Sequence, residues 1–332
     1  MDIRQNILSD WLTHECGFNT FSLQTMAGDA SFRRYFRVLS QEQSWVVMDA
    51  PPDKENCVAY VAISKALRKL GLMSPEIFKA DMTAGFLLIT DFGDKQLLGE
   101  LNPFNVSELY HEALDALAIL QACKEVPGMT LPMFTATFMR QELDGFKEWF
   151  LQSYLNLSFS THLELMLANT FDFLANEAAS QPQVFMHRDY HSANLMVLPN
   201  HKMGLLDFQD AFIGPVTYDL VSLLRDCYID WPNHLIEDLA LGYKKRIHLT
   251  VTDELFLRWF DGMGLQRHMK ALLTFSRKYK RDGNPHYLKH IPRTLQYISK
   301  ASQRFQECQD FCDYLHTTIL PAHEKVRLLC EA

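Results

Sequence analysis

Short strand patterns and two helical patterns make up the first third of the chain. Apolar residues recur at helical spacing over residues 3–14, which predicts an opening helix. Runs rich in aromatic and β-branched residues then predict strands at 21–26, 35–39, 45–48 and 86–90. Between the third and fourth strands, apolar spacing predicts a helix over residues 53–70, which Gly71 would end. We therefore expect a small antiparallel sheet that is interrupted by a helix.

Beyond about residue 104 the pattern becomes almost wholly helical. Amphipathic spacing predicts helices near residues 106–122, 136–156, 161–179, 219–229, 234–247, 253–280 and 293–317. The exception is the segment 184–214, where short apolar runs are separated by polar, turn-forming residues. The predicted fold class is α+β, with a small β-rich N-terminal lobe (residues 1–92) and a larger helical C-terminal lobe (residues 93–332).

Composition narrows the class of protein. The 332 residues are 48% hydrophobic, and 32 Lys and Arg against 40 Asp and Glu give a formal charge of −8. That balance argues against a main role in coating nucleic acid or an anionic membrane. Apolar runs fall far short of the roughly 20 residues of a spanning helix, and the seven cysteines are scattered without a C-x-x-C pair. We expect a cytoplasmic protein with reduced thiols.

The segment 184–214 contains a catalytic motif. The sequence HRDYHSAN at residues 187–194 matches, position for position, the H-R-D-x-x-x-x-N loop of protein-kinase-like phosphotransferases, and Asp207 begins a D-F-Q triplet downstream. In that arrangement Asp189 accepts the proton of the attacking hydroxyl, while Asn194 and Asp207 hold Mg²⁺ against nucleotide phosphates. The short apolar runs after Asn194 predict a hairpin that returns Asp207 to it.

Two interpretations of this segment without phosphotransferase chemistry remain. Single Asp and Asn residues in loops commonly cap turns. His187 and His191, four residues apart, resemble a zinc-binding pair, but no Glu follows the first His and the flanking pattern is not helical. The order and number of the motif residues favour the phosphotransferase interpretation.

A second D-F-G-like triplet, at residues 91–93, precedes the catalytic loop and so stands in the wrong order for metal binding. It follows a predicted strand and leads into the helical half. We therefore predict that Thr90, Asp91 and Phe92 form a hinge whose backbone groups bind an adenine edge. The alternative is an ordinary connecting turn.

A phosphate-covering loop is predicted between the first two strands, within the sequence AGDASFRRY. Gly28 permits a tight turn, Ser31 offers a hydrogen-bond donor, and Arg33 or Arg34 supplies positive charge. The alternative is a plain hairpin turn with solvated arginines.

One departure from the kinase pattern concerns the strand at residues 45–49. It carries Met48 and Asp49 where V-A-I-K would place a lysine. Neutralisation of the phosphates would then come from Arg33, Arg34, Lys54 or metal ions, unless the chain is a nucleotide-binding relic. The intact base and metal ligands favour an enzyme.

The sequence after the catalytic loop carries a family resemblance. DFQDA at 207–211, followed by GPVTYDLVSL at 214–223, is similar to the signature of the aminoglycoside phosphotransferase-like branch of the kinase fold. The resemblance implies a two-lobed protein-kinase-like fold that uses ATP and Mg²⁺, in which the N-terminal lobe binds nucleotide and the C-terminal lobe carries catalysis and substrate binding. It also implies that His187 and Asp219 support the catalytic loop.

Within that branch, the chain most resembles bacterial kinases that phosphorylate the anomeric hydroxyl of N-acetylmuramate and N-acetylglucosamine in peptidoglycan recycling. The resemblance is carried by GDAS at 28–31, RYFR at 34–37, MDAPP at 48–52 and GLQRHMK at 264–270. MDAPP implies that the absent lysine is a trait of this group. A sugar with a lactyl carboxylate needs a nearby cation, for which Arg267 or Lys270 is the candidate.

Two alternatives to an amino-sugar kinase stay open. One is a kinase of the same branch that acts on an aminoglycoside, choline or a homoserine-like alcohol. The other is a catalytically silent nucleotide-binding module. In each of the kinase interpretations the partner is a small molecule, and neither nucleic acid nor a membrane is expected.

Overall fold

The structure is a computed structural model that describes residues 3–26 and 32–331. The chain forms two compact units. The first contains the chain up to Asn102 together with Cys123–Thr130 and Ala193–Asp210. The second contains Pro103–Ala122, Leu131–Ser192 and the chain from Ala211 onward. The domain boundary predicted after residue 92 stays a prediction.

Strands and α-helices alternate in the first part of the chain, and helices predominate from Val106 onward. The strands are β1 (Ser22–Thr25), β2 (Arg34–Ser40), β3 (Gln43–Asp49), β4 (Ile77–Asp81), β5 (Phe86–Thr90), β6 (Gln183–Met186), β7 (Leu195–Val197), β8 (Met203–Leu205) and β9 (Phe212–Pro215). The α-helices are α1 (Ile3–His14), α2 (Cys57–Lys69), α3 (Leu97–Glu100), α4 (Val106–Gln121), α5 (Ala136–Gly145), α6 (Thr161–Ala179), α7 (Tyr218–Leu224), α8 (Asn233–Arg246), α9 (Asp253–Asp282), α10 (Ile291–Ser302), α11 (Gln309–Tyr314) and α12 (Leu320–Glu331). No helix in the described ranges is long and apolar enough to cross a membrane.

The first unit is built on an antiparallel sheet with the strand order β1-β2-β3-β5-β4. Because side chains alternate along a strand, each strand presents two different faces. One face packs against α1, where Phe36, Val38 and Val47 join Leu8 and Trp11 in a buried cluster. The predicted sheet is confirmed, and the pattern missed β4 because that edge strand is mostly exposed and lacks apolar alternation.

Helix α2 begins later than the apolar spacing predicts. The side chain of Asn56 accepts a hydrogen bond from the backbone N–H of Val58. This cap makes Cys57 the first residue of the helix, where the apolar spacing predicted residue 53. The residues before the cap form a turn in which the N–H groups of Lys54 and Glu55 both bond the carbonyl of Pro51. Glu55 therefore stands on a fixed turn ahead of the helix.

Strands β7 and β8 form the predicted hairpin, which belongs to the first unit. They pair antiparallel, with Leu195 opposite Leu205. The N–H of Leu206 then bonds the carbonyl of Asn194 at 3.0 Å, which closes the hairpin at its open end. Asp207 is thereby returned to Asn194, as the sequence predicted.

The second unit is largely helical and centres on α9, a helix of 30 residues. Its apolar face joins α6, α10 and a π-helix at Phe146–Tyr154 in one buried core. The predicted single helix over 293–317 is wrong. Helix α10 ends at Ser302, and Phe305 takes an extended conformation that buries its ring against Phe173, with the ring centroids 5.5 Å apart.

Candidate active site

The start of the HRD loop, which lies in the second unit, is fixed by Asp219. This carboxylate, fully buried in the first turn of α7, accepts the backbone N–H of His187 at 2.7 Å and that of Arg188 at 2.9 Å. Arg188 has a φ of 80°, a left-handed conformation that costs a non-glycine residue about 1–3 kcal/mol. Burial raises the pKa of Asp219 to about 7, while the two N–H bonds act in the opposite direction. The carboxylate thus holds a turn that the backbone alone disfavours.

The end of the same loop is held by Asp226, which sequence reasoning missed. Asp226 accepts two hydrogen bonds from Ser192, one from its backbone N–H at 2.9 Å and one from its hydroxyl at 2.5 Å. In between, the buried Tyr190 hydroxyl donates to the carbonyl of Ala113 at 2.7 Å, and the ring of His187 packs edge-on to Tyr190. No motif residue marks Asp226, because its contact is made 34 positions from Ser192.

Two cations on α9 face the predicted base. The Nζ of Lys270 lies 3.3 Å from Oδ1 of Asp189, and a guanidinium nitrogen of Arg267 lies 3.6 Å from the same oxygen. Three residues apart on one helix, these cations share a face. Burial alone would raise the pKa of Asp189, but Lys270 and Arg267 lower it far below its usual range. Asp189 is therefore ionised at neutral pH.

The surroundings of Asp189 contain both cations and carboxyl groups. Arg188 donates to Glu142 at 2.9 Å, and the amide of Gln266 donates to the same residue at 3.0 Å. The carboxyl groups of Asp189, Glu142 and the buried Asp219 thus lie among the cations Arg188, Arg267 and Lys270. The structure brings together the predicted base and both predicted substrate contacts, and it adds Glu142, which no motif indicated.

The predicted metal ligands meet in the first unit. The amide of Asn194 lies 3.4 Å from Oδ2 of Asp207, whose φ is 61°. The amide of Gln209 donates to Oδ1 of Asp207 at 2.8 Å. Asp207 is partly exposed and Asn194 is nearly buried, with exposed fractions of 40% and 6%. Carboxylate and amide oxygens are hard donors of the kind that Mg²⁺ prefers.

A cavity of about 470 Å³ in the first unit is lined by Thr90, Asp91 and Phe92, and also by Asn194 and Asp207. Its volume is in the range of small-molecule and cofactor sites. Apolar side chains from both the sheet and the hairpin complete the wall, among them Val46, Ile89, Met196 and Leu206.

The predicted hinge is held by Arg37, another residue that the sequence did not single out. Its guanidinium reaches Asp91 at 2.6 Å and Asp94 at 2.8 Å. Burial raises the pKa of Asp91, but the hydrogen bonds and charge of Arg37, together with hydrogen bonds from the backbone N–H of Gly93 and from Ser44, lower it by more, so the pKa is lowered overall. The ring of Phe92 packs on Gly204 of β8, where an added Cβ would come within 2.8 Å.

The predicted phosphate loop is described only in part. Gly28 and Ser31 lie outside the described residues. Arg33 pairs with Glu55 at 2.7 Å. Arg34 instead bonds Asp49 at 2.6 Å, on the face of the sheet that packs against α1.

The model of the phosphotransferase enzyme family matches residues 22–259, which is more than half of the chain. This chain belongs to that family. A Pseudomonas aeruginosa protein named N-acetylmuramate/N-acetylglucosamine kinase is 40% identical over 294 residues, covering 87% of this chain and 86% of the relative. A protein of the same name from Neisseria meningitidis serogroup B is 37% identical over 318 residues, covering 92% of each chain.

Solved structures confirm the fold of this phosphotransferase. Aminoglycoside 2'-phosphotransferase-IIIa, solved as its GDP complex, has a TM-score of 0.64 at 15% identity and covers 92% of this chain and 100% of its own. Choline kinase from Streptococcus pneumoniae has a TM-score of 0.62 at 12% identity, covering 90% and 100%. The predicted two-lobed, protein-kinase-like class is thereby confirmed.

Replacing Asp219 by Asn in this phosphotransferase should loosen the HRD loop. An amide offers one acceptor oxygen where the carboxylate offers two, so one of the two buried N–H groups loses its partner, at about 1–3 kcal/mol. We expect faster hydrogen exchange at His187 and Arg188 and a lower melting temperature. Asp238→Asn, at an exposed position on α8, is the matched control and should change neither. Equal protection of the His187 and Arg188 amides from hydrogen exchange in the two variants would contradict the role of Asp219.

Proposed function

We propose that this phosphotransferase is an ATP-dependent kinase that phosphorylates the anomeric C1 hydroxyl of N-acetylmuramate or N-acetylglucosamine. The observation that carries the proposal is the 37–40% identity, over roughly nine tenths of the chain, to relatives named for these two sugars. The cytoplasmic location and the part in peptidoglycan recycling stay predictions that accompany it.

Asp189 is the proposed catalytic residue that contacts the sugar hydroxyl. As a carboxylate it accepts a hydrogen bond from the attacking hydroxyl and orients the oxygen for transfer. Its low pKa makes it a weak base, so it takes the proton late, once bonding to phosphorus has made the hydroxyl acidic. Such a sequence suits a loose phosphoryl-transfer transition state, which relies on positioning more than on early proton removal.

Asn194 and Asp207 are the proposed ligands of Mg²⁺. They supply two oxygen donors, which fits a cation that usually keeps water and phosphate in its other positions. The Asn194 amide nitrogen faces Asp207 in this structure, and rotation about the last side-chain bond offers its oxygen instead. When bound, the metal would neutralise charge on the nucleotide phosphates.

The 470 Å³ cavity of the first unit is the proposed nucleotide site. Its apolar walls suit a base, and the backbone of Thr90, Asp91 and Phe92 supplies donors and acceptors for an adenine edge. The pair of Asn194 and Asp207 lies on the same cavity, which supports placing the phosphates near it. Gly28 and Ser31 belong to the proposed loop that covers them.

The charges around Asp189 favour an acidic sugar over the cationic alternatives. Aminoglycosides and choline are cations, and a site that recognises them needs surplus carboxylates. Here Arg267 and Lys270 stand beside the predicted base, and Arg188 is close by. Arg267 and Lys270 offer a lactyl carboxylate two cationic partners, so N-acetylmuramate is the proposed preferred substrate.

The experiment that tests this function is an ATP-consumption assay with Mg²⁺ and N-acetylmuramate, N-acetylglucosamine, kanamycin, choline or homoserine, with the product identified by ³¹P NMR. We expect a sugar 1-phosphate from the two amino sugars. Asp189→Asn should reduce kcat by roughly 10²–10⁴-fold, the usual contribution of a positioned base, and leave the Kd for ATP unchanged. Phosphorylation of kanamycin or choline alone would reject the sugar assignment, and ATP binding without any turnover would favour a silent module.

Removing the Arg267 cation should separate the two sugars. Because Arg267 also touches Asp189, Arg267→Ala should lower kcat for both, but only N-acetylmuramate carries a carboxylate that loses a partner. We expect its KM to rise about 10-fold or more relative to that of N-acetylglucosamine, the cost of one charge-assisted hydrogen bond. Lys280→Ala, at an exposed position near the end of α9, is the control. An equal change in both KM values would contradict carboxylate recognition.

The low pKa of Asp189 predicts the pH dependence of kcat. A lowered pKa keeps the carboxylate ionised as the pH falls, so the wild-type kcat should show no acidic limb from Asp189 between about pH 5 and pH 8. Lys270→Met removes the nearer cation, which raises the pKa of Asp189 and should move its acidic limb upward. An Asp189 pKa that is equal in the two proteins, followed by NMR titration, would show that Lys270 does not control this ionisation.

A further inference from the structure

The strand that usually carries the phosphate-binding lysine supplies no cation to the nucleotide cavity. At its end Met48 is fully buried and uncharged. Its neighbour Asp49 is also fully buried and accepts bonds from Arg4 and Arg34, on the face of the sheet that packs against α1. A triphosphate in the cavity therefore needs its positive partner from elsewhere in the chain.

In protein kinases the strand lysine forms an ion pair with a glutamate. Arg33 forms a comparable ion pair with Glu55. Its guanidinium lies 2.7 Å from Oε2 of Glu55, and the other carboxylate oxygen of Glu55 accepts the backbone N–H of Phe32 at 3.2 Å. Both side chains are largely buried, with exposed fractions of 9% for Arg33 and 12% for Glu55. Glu55 thus holds both the charge and the backbone of this segment in place.

The same guanidinium lies next to the metal-ligand pair. Its other terminal nitrogen is 4.0 Å from Oδ1 of Asp207, which lines the nucleotide cavity. Tyr60 lines the cavity as well, and Arg33 and Asp207 act on the pKa of its buried hydroxyl in opposite directions. Arg33 is therefore a buried cation beside the carboxylate that the metal and phosphates would share.

We propose that Arg33 binds the phosphates of the nucleoside triphosphate in place of the strand lysine, and that Glu55 is the positioning residue that holds it. This inference rests on the nucleotide site of the proposed function. A guanidinium suits the task because its several N–H donors lie in one plane and point in different directions. One terminal nitrogen stays on Glu55 while the other turns from Asp207 to a phosphate oxygen.

Other cations of the first unit are engaged in different ways. Arg37 is bound to two carboxylates, Asp91 and Asp94, at the predicted hinge. Lys54 is half exposed, lies 3.8 Å from Asp53, and packs its ammonium over a neighbouring ring. Arg37 also lines the cavity and is only 16% exposed, so Arg33 differs from it in approaching Asp207 and not in burial.

Isothermal titration calorimetry with ADP and with adenosine, both in the presence of Mg²⁺, tests the role of Arg33. Arg33→Met should weaken ADP binding about 10- to 100-fold, as expected for a lost charge-assisted hydrogen bond, and leave adenosine binding within about 2-fold. The matched control Lys65→Met removes an exposed cation from α2 and should alter neither. Unchanged ADP affinity, or an equal loss for adenosine, would overturn the proposal, as would an ADP loss in Lys54→Met but not in Arg33→Met.

If Arg33→Met does not fold, Arg33→Gln decides the question. Glutamine removes the charge but keeps a polar side chain that can hydrogen-bond Glu55, so ADP binding should weaken about 10-fold while adenosine binding is retained. Unchanged ADP binding in that variant would overturn the role of Arg33.

The role of Glu55 is tested by a double-mutant cycle. Glu55→Gln should weaken ADP binding about 10-fold, and the combination with Arg33→Met should be no weaker than Arg33→Met alone, since Glu55 acts through Arg33. Additive losses would overturn the positioning role.

These measurements are separable from the sugar assignment. A wild-type protein that binds ADP and shows the Arg33 effect, yet phosphorylates neither amino sugar, would reject the proposed substrate and keep this inference. A wild-type protein that binds no ADP would overturn the inference itself.

Discussion

The carboxylate of Asp219 accepts the backbone N–H groups of two consecutive residues, His187 and Arg188, and the geometry of the HRD loop follows from that pair of bonds. Two oxygens on one side chain give both buried N–H groups a partner, and a buried N–H without a partner would cost about 1–3 kcal/mol. The bonds hold Arg188 at a positive φ, and the chain turns so that the next side chain, Asp189, faces α9. At the far end, Asp226 performs the same task for Ser192 through both its backbone and its hydroxyl.

Helix α9 determines the electrostatic character of Asp189. Lys270 and Arg267 are one turn apart on the same face, and both approach a single carboxylate oxygen. A carboxylate in this position is a fixed negative charge and a hydrogen-bond acceptor, and it is a poor proton acceptor. The arrangement is suited to orienting a hydroxyl near two cations, where developing negative charge is stabilised. As a consequence, α9 presents two neighbouring cations beside Asp189, which suits an anionic ligand.

Local signals made Asp189, Asn194 and Asp207 predictable, because their motif positions are set by a loop and a short hairpin within about 20 residues. Asp226, Arg37 and Glu142 were not predictable in this way. Each acts through a partner far along the chain, such as the 54 positions between Arg37 and Asp91, and such contacts depend on packing that no local pattern encodes. Helix ends were missed for a similar reason, since Asn56 caps α2 through one side-chain bond and Phe305 interrupts a helical pattern by burying its ring.

Arg33 and Arg34 show how strand register decides function. The two are consecutive, so the sequence treats them as equal candidates for phosphate binding, yet alternation sends them to opposite faces of the sheet. In the observed register Arg34 lies opposite Asp49, and a two-residue turn joins β2 to β3. Gln41 and Glu42 in that turn have φ values of 48° and 63°, the conformation of a hairpin turn that usually requires Asn or Gly. The turn therefore lacks its sequence signature, and the register had to come from the packing of Phe36, Val38 and Val47 against α1. A register slip of one residue would turn these apolar side chains away from α1 and would place Arg34, in place of Arg33, on the cavity side of the sheet. The packing of the first unit's core therefore determines that Arg33 lies on the side of the sheet that carries the nucleotide cavity.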